Sequence, residues 1–391
     1  MVLDDSPPPS RRIGVLGRGA TGVDAAGRLI RDTRCLVRWW VQAEDRLHDP
    51  AESPTVRQRA LGGLPVIETR VRVPDGDVVA VTFATADRGG ADVVAFTNES
   101  PRAVAIVIDG LDIDGLRSAA TAPDDLGLGH ARVIPLAHSA TFSVAVGHSG
   151  SVGDPSTLAD AATVAAGWRS LCEAAGRITL PPGPIGRRAV DDLASLRCDL
   201  LLDGPPHPLD DPVDHLLAAD QLVRMGESAV ALVPDVVTAV EAGARHRRSP
   251  GERSVRAAWR VLTAAGEQRA IADLARMWAK VANRRPLEGG DVAAVTALEW
   301  RFVAPRDDRV ELFGAGFDDE WLGQSLEAHG LPGGGTATVS VAVRWHGARP
   351  AVLWEVTGET QRLTAPVVDP DFDTTEASGE ALWAAPTERA T

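Results

Sequence analysis

The chain has 391 residues, 44% of them hydrophobic, with a formal net charge of −14 and three cysteines. That length supports more than one hydrophobic core, so two or three domains are expected. The acidic balance excludes the clustered basic face of a nucleic-acid footprint, and no run of apolar residues is long enough to span a bilayer.

The opening "MVLDDSPPPSRR" lacks the apolar run of a signal peptide. Cys35, Cys172 and Cys198 are scattered and odd in number, which reads as buried thiols in a reducing compartment. A cytoplasmic protein with neither nucleic-acid nor membrane partners is the expectation. Basic residues are almost all Arg, with Lys280 the single lysine, and Tyr is absent.

"RIGVLGRGATG" places Gly17, Gly19 and Gly22 as a formal G-x-G-x-x-G after an apolar strand. One reading is a pyrophosphate-binding turn, with "VDAAGRLIRD" as a crossover helix and Glu44 as the ribose ligand of a nucleotide-binding oxidoreductase. The other is a Gly-rich β-turn with a hairpin around "DAAGR". The runs "LPVIETRVRV", "DVVAVTFAT", "ADVVAFTNES" and "RAVAIVIDG" follow with turns between them and no helices, which favours the second. Val71 and Val73 alternate with Arg70 and Arg72, as on a half-buried antiparallel strand. Residues 12–150 are therefore expected to form an N-terminal antiparallel β-sandwich.

Residues 154–285 read as helices. Asp154 before Pro155, and Asp211 before Pro212, are N-cap signals, and Gly176, Gly226 and Gly266 are stops. Leu158, Ala161, Ala165, Trp168 and Cys172 form one stripe, and Val213, Leu216, Leu217 and Val223 another. A further helix is expected after Pro234, and Ser249 with Glu252 has the spacing of a capping box. The count is about six helices in about three αα-hairpins.

After Pro286 the period returns to two. "AVTALEWRFVAP", "DRVELFGAGF", "TVSVAVRW" and "AVLWEV" read as strands of a C-terminal β-region over 292–386, with "HGARP" as a hairpin turn. The fold class is thus α+β and multidomain.

"ALGGLPVIETRVRVPDGDVVAVTFAT" resembles the strand pair of glucoamylase-like, six-hairpin glycosidases, and "TGVDAAGRLIR" resembles the hairpin near their N-terminus. "RWHGARPAVLWE" is similar to a recurrent ending of actinobacterial proteins, so a degenerate actinobacterial member is implied. The resemblance implies a β-sandwich followed by an α/α toroid, here partial because the helices supply about half the hairpins of a closed ring. It further implies a carbohydrate-active protein that binds or hydrolyses an oligo- or polysaccharide without a cofactor. Glycoside hydrolysis needs two carboxyl groups flanking the scissile bond. Asp214, Asp235 and Glu241 have structural explanations as helix-turn or solvated residues, as does Asp211 as an N-cap. Asp210 and Glu227 remain as catalytic candidates.

Trp345, His346 and Glu355 could bind a sugar, since an indole packs on the C–H face of a pyranose, although large aromatics also fill small β-cores. The cluster Arg245, Arg247, Arg248, Arg253 and Arg256 could hold a phosphate or sulfate. Neither the histidines nor "DPDFDTTEASGE" has convincing metal spacing: His207 and His215 are separated by prolines, and Thr374 replaces the glycine an EF-hand loop requires. The alternative from another class is a non-enzymatic scaffold that presents an open helical arc to a protein partner.

Overall fold

The computed structural model describes residues 11–110, 112–116, 120–121, 131–245 and 248–386. The chain is mixed α+β, and its two units meet in sequence between Arg169 and Ser170.

The first unit begins with β1 (Arg11–Gly14), β2 (Ala20–Val23), β3 (Leu29–Arg31), β4 (Arg34–Gln42) and β5 (Leu47–His48). It continues through β6 (Arg57–Ala60), β7 (Val66–Val73), β8 (Gly76–Thr85), β9 (Ala91–Asn98) and β10 (Val104–Gly110). It closes with β11 (Ile113–Asp114), β12 (Ala120–Thr121), β13 (Arg132–Leu136) and β14 (Thr141–Gly147). One antiparallel sheet runs β1-β2-β3-β4-β10-β13-β12 with β5 on β4, and the other runs β11-β14-β9-β8-β7-β6. Ile13, Val37, Trp39 and Ile106 of the first sheet share one core with Val71, Val78, Val94 and Phe96 of the second. As the alternation predicts, Val71 and Val73 are buried while Arg72 is exposed.

The G-x-G-x-x-G is a hairpin turn. β1 pairs with β2 antiparallel, and Gly17 and Gly19 in the turn have φ of 70° and 79°, where a side chain would be strained. Asp24 shapes the next hairpin, its Oδ1 accepting from the backbone of Ala26 and Arg28. The region 12–45 is strand after strand, so the crossover helix that an oxidoreductase reading required is not formed, and Glu44 pairs with Arg102.

Helix α1 (Ala161–Ala174) starts later than Asp154 suggested. Asp154 instead caps a single 3-10 turn, accepting from Ser156 N at 2.9 Å, and Asp160 accepts from Thr163 N at the start of the helix. Ala161, Val164 and Ala165 cover Phe83 and Val93 of the first unit.

The second unit contains β15 (Arg177–Thr179), α2 (Pro184–Asp203), α3 (Pro212–Arg224), α4 (Ala229–Gly243), α5 (Glu252–Ala264), α6 (Gln268–Val281) and α7 (Asp291–Phe302). β16 (Val303–Pro305), β17 (Val310–Leu312), β18 (Leu326–Pro332), β19 (Thr338–His346), β20 (Arg349–Thr357), β21 (Leu363–Ala365), β22 (Asp369–Thr374) and β23 (Ser378–Leu382) follow. β15-β18-β19-β20-β23 form one sheet and β16-β17-β21-β22 another, in which β17 and β21 pair parallel.

Four expectations are corrected here. The segment "AVTALEW" is helix α7, not a strand, and Val292, Thr296, Glu299 and Phe302 are buried at helical spacing. The helical block and the C-terminal strands do not separate at 285–292, because β15, between α1 and α2, pairs with β18, and Leu193 of α2 shares a core with Val341 and Trp354. α4 begins before Pro234 and runs through it. The capping box does not form: Gly251 is the N-cap of α5, Ser249 Oγ accepts from Gly251 N, and the Glu252 carboxylate holds Arg256 and Arg306.

Consecutive helices α3, α4, α5 and α6 pack against one another. α3 lies among α2, α4, α5 and α7, and every residue from Val213 to Leu222 is buried. A helix buried on all faces is a central element of this block. "DPDFDTTEASGE" becomes β22, a turn and β23, with Asp373 paired to Arg362, so no calcium loop exists there.

Candidate functional site

The two candidate catalytic carboxylates bracket one helix. Asp210 precedes α3 and Glu227 follows it, both exposed, and Asp210 lies 3.7 Å from His207 Nδ1. α3 has 13 residues. Such a helix is about 20 Å long, whereas hydrolytic carboxylate pairs stand roughly 5–9.5 Å apart. Asp210 and Glu227 therefore do not form a pair.

Trp345, His346 and Glu355 likewise diverge. Trp345 faces the core with Val343 and Val341, its ring centroid 5.7 Å from that of Phe317, and it donates Nε1 to Gln324 O. His346 and Glu355 are exposed on the opposite face of the sheet, Glu355 opposite Ser340. The core reading accounts for Trp345.

The basic cluster splits as well. Arg245 and Arg248 are exposed, Arg247 lies outside the described residues, and Arg253 turns inward to Ala293 O and Thr296 Oγ1.

The charged side chains that do converge were not singled out from sequence as a group. Arg197 of α2 is 3% exposed. Its guanidinium donates to the carbonyls of Cys172, Ala175 and Gly176, to Gln221 Oε1 at 3.0 Å and to Glu299 Oε1 at 2.6 Å. It thereby satisfies the open carbonyls at the end of α1, where a cation is also favoured by the helix dipole. Glu299 Oε2 accepts from Arg224 Nη2 at 2.7 Å and Gln221 Nε2 at 3.0 Å. Asp220, one turn before Arg224, accepts two bonds of 2.7 Å from Arg260 of α5.

Burial alone would raise the Glu299 carboxyl, but Arg224 and Arg197 outweigh it and hold the group at about 2. Glu299 is therefore a fixed anion and cannot serve as a general acid at neutral pH. Arg253 is different: burial pushes its guanidinium below its ordinary value, and no carboxylate bonds to it among the described residues. Three guanidinium groups, on Arg197, Arg224 and Arg260, thus hold two carboxylates, Asp220 and Glu299, and Arg253 lines the same cavity.

A cavity of about 30 Å³ opens against this network between Asp220, Arg253, Arg260, Glu299 and Trp300. A larger cleft of about 280 Å³ shares Arg260 and is lined also by Arg256, Trp259, Asp307, Gly333 and Gly335. Trp259 is 38% exposed there. Arg256 is held in place by Glu252 Oε1 and by Asp307 Oδ1 at 2.9 Å. The sequence signal was available: Arg256, Trp259 and Arg260 have helical spacing, and Trp259 interrupts an otherwise polar face.

The first unit holds a separate buried cluster. Asp92, fully buried, accepts from Thr21 Oγ1 at 2.7 Å and from Arg31, and contacts His148 Nε2 at 2.9 Å. Thr21 is 1% exposed, so no substrate meets its hydroxyl and the cluster ties β2 and β3 of one sheet to β9 of the other. Among the described residues no group of three or more His, Cys, Asp or Glu could hold a metal ion, and no helix is long and apolar enough to cross a membrane. No protein-family model matches the chain, and no curated protein matches it.

Proposed function

We propose that the 170–386 unit binds a saccharide bearing a carboxylate or phosphate group in the cleft of Arg256, Trp259 and Arg260, without hydrolysing it. The observation that carries this reading is an indole 38% exposed, flanked by two half-buried guanidinium groups, in an open cleft of about 280 Å³. An apolar ring face beside planar cationic donors suits a pyranose with an acidic substituent. Arg260 bonds to Asp220 through Nε and Nη2, which leaves Nη1 to donate to a ligand. Hydrolysis is set aside because Asp220 and Glu299 are each held by two arginines. The carbohydrate class comes from the six-hairpin resemblance, and the acidic substituent from the arginines.

Calorimetry of the full chain against neutral glucans, uronic-acid disaccharides and sugar phosphates tests this. Saturable binding of the acidic ligands, weakened at least about tenfold by Trp259→Ala and by Arg260→Met, is expected. Equal affinity of the variants, or no binding of any acidic saccharide, would overturn it.

A second reading rests on α4. Val230 is 65% and Val237 36% exposed, with Pro234 between them on the same face, and such a stripe suits contact with another protein. Sedimentation analysis of Val230→Asp tests it, since an unchanged monomer in both forms removes self-association from consideration.

A further inference from the structure

The three cysteines are not equivalent. Cys35 lies on β4 of the first unit, whereas Cys172 at the end of α1 and Cys198 on α2 bring their sulfurs to 3.4 Å, each 3% exposed. Sequence spacing hid this pair, because the two cysteines belong to different helices joined through β15.

We propose that Cys172 and Cys198 are a built-in oxidation site that closes to an intramolecular disulfide when the protein meets a hydroperoxide. Three observations support it. The sulfurs are already neighbours, and a move of about 1.4 Å brings them to disulfide distance. The backbone on one side is fixed, since Arg197 Nη1 donates to the Cys172 carbonyl at 3.0 Å, and Arg197 is adjacent to Cys198 on α2. The chemistry is also polarised: the hydrogen bond with Cys198 lowers the Cys172 thiol below its ordinary value, while the same bond and burial push Cys198 up. Cys172, the lowered thiol, is taken as the attacking group, and the pair closes to the same disulfide whichever sulfur is oxidised first.

The Cys172 thiolate attacks one peroxide oxygen, the O–O bond breaks, and one water leaves after protonation. Cys172 is then a sulfenic acid. The Cys198 sulfur attacks the sulfenic sulfur, and the hydroxyl leaves as a second water with the Cys198 proton. Two thiols and one hydrogen peroxide thus give one disulfide and two waters. An exposure of only 3% makes the first attack dependent on local opening at the end of α1, so the reaction is slower than for an exposed thiol.

The test is peptide mapping of the full chain after exposure to hydrogen peroxide, with denaturing alkylation before digestion. The expected product links the Cys172 and Cys198 peptides, is reversed by dithiothreitol, and leaves Cys35 alkylated. Complete alkylation of both residues, or their conversion to sulfinic acid without a linked peptide, would overturn the proposal. Cys172→Ser and Cys198→Ser should each abolish the linked species, and Cys35→Ser should leave it unchanged. Because native packing already juxtaposes the sulfurs, oxidation should raise the Tm of wild type by about 5 °C or more. A lowered Tm would show that native packing rejects the bond.

Discussion

Arg197 of α2 and Glu299 of α7, 102 residues apart in sequence, meet at 2.6 Å in the interior of the 170–386 unit. Glu299 also holds Arg224, so one carboxylate joins three helices. Replacing Glu299 with Ala removes the carboxylate shared by two buried guanidinium groups, leaving Arg197 with no anionic partner among the described residues and Arg224 with Asp220 alone. The expected loss is about 3–5 kcal/mol in urea unfolding followed by tryptophan fluorescence, and a loss below about 1 kcal/mol would mean the network is solvated.

The same carboxylate sets an acid limit. Its folded value of about 2 lies below the ordinary 4.5, so its stabilising contribution is complete above pH 4.5 and is lost as pH falls towards 2. Thermal melts from pH 5 to pH 2.5 should show a steeper decline for wild type than for Glu299→Gln.

His215 of α3 acts at higher pH. It is 1% exposed, donates through Nδ1 to Pro206 O, and burial holds its imidazole below the ordinary 6.5. The unfolded chain takes up a proton below pH 6.5 that the folded chain refuses, so stability falls with pH by up to about 1.4 kcal/mol per unit. His215→Gln should flatten the stability curve between pH 7 and pH 5.5. An unchanged slope would assign the decline to other groups.

Asp214 caps a helix to which it does not belong. Its carboxylate accepts from Gly290 N, Val292 N and Ala293 N at the start of α7, 76 to 79 residues later. Asp214→Ala should cost about 2 kcal/mol or more, against about 1 kcal/mol for Asp211→Ala, which removes the ordinary cap of α3. Gly290→Ala probes the same contact, because a Cβ there would lie 2.9 Å from Asp214 Oδ2. Equal effects of the two Asp variants in chemical denaturation would argue against the long-range cap.

In the first unit, Asp92→Ala removes the acceptor shared by Thr21, Arg31 and His148. A destabilisation of about 3 kcal/mol is expected by urea unfolding. Asp92→Asn, which keeps the shape and one acceptor, should cost less.

The β-strands of the first unit were legible in the sequence because a half-buried strand writes itself as alternation, as at Arg70 to Val73, and turns declare themselves through residues such as Gly17, Gly19 and Asp24. Helix α3 was equally plain from Asp211 and Pro212 and from its stripe. What the sequence could not supply was any feature whose partner is far along the chain. α7 buries Val292, Thr296, Glu299 and Phe302 at helical spacing, but its β-branched residues resemble a strand until Asp214 arrives to cap it. β15 is three residues long and becomes a strand only beside β18. Asp210 and Glu227 have no capping role in the sequence, yet exposed carboxylates at opposite ends of one helix are too far apart to flank one glycosidic bond. The Arg197, Arg224, Glu299 network and the Cys172, Cys198 pair depend on how α1, α2, α3 and α7 pack. Local periodicity determines which face of an element is buried; only tertiary packing determines which buried charges and thiols meet.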